Sequence, residues 1–94
     1  MHTPGPWFTS QPHGTIYIEA RLRGSILQEV AACGPTEEPE QQEANARLIA
    51  AAPEMLEALQ DLYEAYGRST AADDWDAEVT RKAAAAIQRA GGSV

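Results

Sequence analysis

The sequence predicts an α+β fold, with a small N-terminal antiparallel sheet of two to three strands packed by a kinked long helix and a second C-terminal helix. Three observations carry this expectation. The segment TIYIEAR (15–21) alternates β-branched or aromatic residues with polar ones, the period of a strand with one covered face. Further on, apolar positions recur at Leu48, Ala52, Met55, Leu59, Leu62 and Tyr66, spaced 4, 3, 4, 3 and 4 residues apart, the period of a helix with one oily stripe. Pro53 interrupts that helix in its middle. At 94 residues the chain is expected to form one domain, with strands across about 6–33, an acidic loop at 34–41 and helices at about 42–66 and 72–90.

The strands come first. TPGPW and SQPHG are turn-rich, and WFTS between them suits a short edge strand because Pro6 and Pro12 tolerate only peripheral places. TIYIEAR and SILQEVAAC are then the two arms of a hairpin, with Gly24 supplying the positive φ of a tight connection. Ile16, Ile18 and Ala20 should share one face, and Tyr17 and Glu19 the other.

The helices follow GPTEEPEQQ, read as a loop. Ile49, Leu56 and Tyr63 broaden the oily stripe, while Glu54, Glu57, Asp61 and Glu64 fall on the opposite side. In an unbroken helix Pro53 would delete a backbone bond to Ile49 at a cost of roughly 3 kcal/mol. A break near Ala51 and Ala52 avoids that cost, because proline and an acid, here Pro53 and Glu54, both favour a helix start. Asn45 continues the stripe toward its N-terminal end, where an amide either fixes register on a buried seam or bonds loop backbone and water. Gly67 ends this helix, GRSTAA forms a turn, and a second helix starts near Asp73. Its stripe of Trp75, Val79, Ala83, Ala86, Ile87 and Ala90 completes an αα-hairpin, and Gly91 and Gly92 stop it.

Charge narrows the functions open to the chain. The net charge is −7, and all of the excess lies between Gly34 and Tyr66, where one base, Arg47, stands against Glu37, Glu38, Glu40, Glu43, Glu54, Glu57, Asp61 and Glu64. Such a surface cannot neutralise phosphates, so direct binding of duplex nucleic acid is excluded there. It can mimic nucleic acid, or it can be a solvated face that keeps the chain in solution. Glu43 precedes Arg47 by one turn, an ordinary pair worth about 0.3–0.5 kcal/mol.

No apolar run reaches the ~18 residues needed to span a bilayer, and MHTPGPW has neither a basic patch nor an apolar core of a signal. No membrane association is expected. The single cysteine, Cys33, excludes an intrachain disulfide and fits a reducing cytoplasm, where it reads as a small core residue. A chain this short buries a modest share of its surface, and homo-oligomerisation is one remedy.

Catalytic chemistry is not spelled out. His2 and His13 lie in turn-like segments with no nucleophile and carboxylate set around them. Asp73, Asp74 and Asp76 lack the glycine and distal glutamate of a calcium loop, and the remaining His, Cys and acids match no metal-ligand spacing. The expectation is therefore a protein without catalytic residues, metal or cofactor. Binding surfaces remain. Arg21 and Arg23 flank the hairpin turn, with Tyr17 close by and Trp7 on the first strand, and arginine forks with aromatic planes suit nucleotides. The candidate ligand-binding set is Trp7, Tyr17, Arg21, Arg23, Asn45 and Arg47. The alternative partner surface is Glu54, Glu57, Asp61 and Glu64.

In HTPGPW (2–7) and ANARLIAAAPEMLEAL (44–59) the chain resembles a widespread group of small bacteriophage and prophage proteins, and the likeness spans most of its length. No motif between Ser10 and Pro39 adds to it. The resemblance implies a phage accessory protein in the host bacterial cytoplasm, non-enzymatic and acting stoichiometrically against bacterial defence. One version sequesters a nucleotide immune signal at an oligomer interface. Another inhibits a host defence protein directly through the acidic helix face, and a third is a minor structural or packaging accessory of the virion.

Overall fold

The computed structural model describes residues 1–66 and 74–92, the side chains of residues 74–76 excepted. The elements run in the order β1 (Trp7–Ser10), β2 (Ile16–Arg23), β3 (Ile26–Cys33), α1 (Pro39–Ala50), α2 (Ala52–Tyr66) and α3 (Asp74–Arg89). This is the α+β class that the alternation and helical periodicity predict. The chain divides into two compact units, one of His2–Glu54 and one that begins at Met55.

In the first unit the strands form an antiparallel sheet in the order β1-β2-β3. The β2–β3 hairpin closes at Arg23↔Ile26, leaving Gly24 and Ser25 as its two-residue turn, with Gly24 at φ 56°. That positive φ at the first turn position is what a strand-matched tight turn requires. The guanidinium of Arg21 donates from Nη1 to the Gly24 carbonyl at 3.0 Å and braces the turn. β1 joins as an edge strand through Trp7↔Ala20 to Ser10↔Tyr17, and the Gly5–Pro6 bond before it is cis.

Ile16, Ile18 and Ala20 are buried on one face, and α1 covers them. Ala46 packs with Ile16 and Ile18, and Trp7, Val30, Ala31, Cys33, Ile49 and Ala50 close the cluster. α1 starts at Pro39, inside the expected acidic loop 34–41 and three residues before the expected start at 42. Proline at the first helical position loses no bond, since that N–H has no partner in a helix anyway. The Thr36 hydroxyl donates to the Glu38 carbonyl, and Gln41 N–H donates to the same oxygen at 2.9 Å.

The break falls where Pro53 demands it. α1 ends at Ala50, Ala51 N–H donates to Arg47 O at 3.0 Å, and α2 restarts at Ala52 with Pro53 second and Glu54 in its first turn. The buried stripe, however, is not the expected one. Gln42 and Ala46 are buried and Ile49, Ala50 and Pro53 half-buried, whereas Leu48 is 60% exposed and Asn45 is exposed. The helix is rotated from the expected stripe by about one residue, or about 100°. The residue at the centre of the contact between α1 and the sheet is the small Ala46, 1% exposed against Ile16 and Ile18.

In the second unit, Leu59 of the expected stripe is half-buried, as are Gln60 and the Leu56 and Tyr63 expected to broaden that stripe, whereas Met55, Leu62 and Tyr66, expected on the covered side, are exposed. In α3, Ile87 is fully buried and Ala77, Thr80, Ala83 and Ala84 are half-buried. Val79, Ala86 and Ala90, expected on the inner stripe, are exposed. Gly91 at φ 84° ends α3 in a Schellman arrangement, with Gly92 N–H donating to Ile87 O at 2.8 Å and Gly91 N–H to Gln88 O at 3.0 Å. The expected stop at Gly67, the GRSTAA turn, Asp73 and the Trp75 side chain lie outside the described residues.

Candidate functional site

The two faces of the sheet hold the candidate ligand residues apart. Trp7 pairs with Ala20 and therefore shares the face that α1 covers, where it packs against the core. Its indole Nε1 donates to the Thr3 carbonyl at 3.0 Å, and His2 Nδ1 donates to the same carbonyl at 2.8 Å while its ring stands edge-on to the indole, centroids 6.1 Å apart. Trp7 thus anchors the N-terminal HTPGPW segment to the sheet.

Tyr17 and Arg21 project from the other face, two pleats apart on β2, or about 13 Å. Glu19 stands between them, opposite Glu29 of β3 in register and opposite Phe8 of β1. Two carboxylates side by side in the middle of this face repel a phosphate. Arg23 is exposed at the hairpin end, beside the turn that Arg21 braces. These residues do not converge on one ligand-sized site within the chain.

Arg47 lies elsewhere. Together with Thr9, Gln11, Ile16, Glu43 and Ala46 it lines an open cleft of about 220 Å³ between the β1 edge and α1. The cleft carries one cation and one anion, so it offers a nucleotide little net attraction. Asn45, two residues before Arg47 and so on another side of α1, is exposed. His13 is exposed in the turn after β1, and Cys33 is half-buried at the core margin. Among the described residues no three His, Cys, Asp or Glu side chains are grouped to hold a metal ion, and no helix is long and apolar enough to cross a membrane.

The second candidate surface is continuous. Glu54, Glu57, Asp61 and Glu64 are all exposed on α2, spaced 3, 4 and 3 residues apart, so they form one acidic stripe along the helix, and α2 carries no base in its last turn. Comparison with known proteins adds the context. A family model described as Salmonella phage P22 protein Y8K6 matches residues 1–94. The chain belongs to this phage protein family. No curated protein and no solved structure matches it.

In this Y8K6-family protein α1 is tied to the sheet by a residue outside the candidate sets. Gln42 is buried, and its Nε2 donates to Gly14 O at 2.7 Å and to Cys33 O at 2.9 Å. The amide ties α1 to the loop after β1 and to the end of β3. A signal was present: Gln42, Ala46, Ile49 and Pro53 repeat at 4, 3 and 4 residues, as regularly as Asn45, Leu48, Ala52 and Met55. The second set is the more hydrophobic, so hydrophobicity alone favours the stripe that holds exposed Leu48 and Met55.

Proposed function

We propose that this phage protein is a non-enzymatic, stoichiometric binder that counters host defence by occupying a basic surface of a defence protein with the acidic stripe of α2. The observation that supports this reading is the exposure of Glu54, Glu57, Asp61 and Glu64 along one helix side. Four carboxylates in line present a field that steers a basic partner and rejects an acidic one. A nucleic-acid-binding effector offers the complementary surface. The test is the quadruple reversal Glu54→Lys, Glu57→Lys, Asp61→Lys and Glu64→Lys, scored by phage plating on defended and undefended hosts. Loss of plating on the defended host alone, with an unchanged circular dichroism melt, supports the reading. Full plating with the reversed stripe overturns it.

A second reading, sequestration of a nucleotide signal between copies of the chain, is favoured only by Arg47 in its cleft. Calorimetric titration with cyclic dinucleotides and cyclic ADP-ribose variants decides it. Saturable heat that Arg47→Ala abolishes supports sequestration, and no heat across the panel removes it.

A further inference from the structure

Among the described residues β1 has β2 on one side and no strand on the other, so alternate residues of Trp7–Ser10 turn their backbone N–H and C=O groups to a free edge. No further backbone hydrogen bond among the described residues reaches that edge. The strand carries no charge that would repel an added strand, and Pro6 and Pro12 limit the addition to a short stretch. Beside the edge opens the cleft of about 220 Å³, with Thr9 on its strand side and Glu43 and Arg47 on its helix side. These two charges stand one turn apart on α1, both exposed, and among the described residues neither is spent on a hydrogen bond or ion pair.

We propose that this edge pairs with the same edge of a second copy, β1 antiparallel to β1 across a two-fold axis near Thr9. Charge complementarity selects that occupant. A two-fold axis makes residue i of one copy meet residue j of the other, and j meet i. It also sets both α1 helices side by side on one face of a continuous sheet, since α1 covers one face of each half. Thr9 shares the cleft with Glu43 and Arg47, so an axis at its level brings Glu43 of each copy to Arg47 of the other. Any extended peptide can bond to a free strand edge, but a purely basic or acidic one meets one of the two charges with its own sign. The crossed pairs therefore restrict the edge to a second copy. This interface leaves the acidic stripe of α2 untouched and commits Arg47 to protein rather than to nucleotide, so its failure is separable from that of either function proposed above.

Sedimentation equilibrium of the full chain across a concentration series tests this. The wild-type chain is expected to dimerise reversibly. Glu43→Arg and Arg47→Glu should each raise the dissociation constant at least about tenfold, because each sets like charges against each other across the axis. An equimolar mixture of the two variants should pair again, since every contact between unlike chains then joins opposite signs. A chain carrying both substitutions should regain dimerisation for the same reason. Both side chains are exposed, so the reversals spare the fold, which circular dichroism melts check. A wild-type chain that stays monomeric at every concentration overturns the proposal, as does a dimer that the single reversals leave intact or a mixture that does not pair. Backbone hydrogen exchange of the wild-type chain gives a readout free of any variant. Protection within residues 7–10 that grows with concentration supports the proposal, and growth confined to residues 26–33, the other sheet edge, overturns it.

Discussion

Gly5 lies against the ring of Pro53 so closely that a β-carbon on Gly5 would come within 3.0 Å of Pro53 Cβ. The residue that breaks the long helix is therefore also the residue onto which the N-terminal segment folds. Pro53 fills the second position of α2, where it forfeits little, and its ring offers a flat apolar surface that the glycine meets without a side chain. Trp7, two residues on, holds the segment through its bond to Thr3 O.

Gly5→Ala is expected to destabilise the protein by about 1–2 kcal/mol, since the added methyl must displace the Pro53 ring. Gly34→Ala is the control, because a β-carbon there meets nothing within 4 Å. Urea unfolding of both variants checks the contrast, and equal midpoints would show that the contact with Pro53 accommodates a methyl group without cost.

Gln42→Ala should cost about 1–3 kcal/mol, because the Gly14 and Cys33 carbonyls lose their shared donor at a partly buried site. Gln42→Glu should cost more at neutral pH, as it sets a carboxylate against two carbonyl oxygens. Thermal denaturation orders the three proteins. A fully stable Gln42→Glu variant would mean that the amide is not the tie between α1 and the sheet.

Ala46→Leu and Leu48→Ser separate the observed buried stripe from the hydrophobic one. Ala46 is buried against Ile16 and Ile18, so a larger side chain should cost about 1–3 kcal/mol. Leu48 is exposed, and its loss should change stability by less than about 0.5 kcal/mol. The opposite ranking in chemical denaturation would restore the stripe expected from hydrophobicity.

At the end of α3, Gly91→Ala should cost about 1–2 kcal/mol for placing a β-carbon at φ 84°. Gly92→Ala acts by a different route, since its methyl would approach Ile87 Cγ2 to 2.8 Å and Gln60 Nε2 to 2.7 Å. Ile87 is fully buried and β-branched, so it cannot turn aside, and a further loss of about 1–3 kcal/mol is expected. Calorimetric melting of the single variants measures both.

The sequence by itself determined the α+β class, the hairpin at Gly24, the inward face of Ile16, Ile18 and Ala20, and the break at Pro53. Each follows from local backbone chemistry or a two-residue alternation, which needs no knowledge of the rest of the chain. The acidic stripe was legible for the same reason, since helical spacing alone aligns Glu54, Glu57, Asp61 and Glu64.

Only the tertiary structure decided which side of the helices is buried. A period of 3.6 residues fixes the angles between side chains but not the direction of the neighbour, so two stripes of equal regularity compete. In α1 the sheet chose the one whose small Ala46 lies against Ile16 and Ile18 and whose Gln42 satisfies two backbone carbonyls, leaving Leu48 outside. The scattering of Trp7, Tyr17, Arg21 and Arg47 has the same origin. Registry with Ala20 puts Trp7 on the covered face, four residues of extended chain separate Tyr17 from Arg21 on the other, and Arg47 lies on α1 beside the β1 edge.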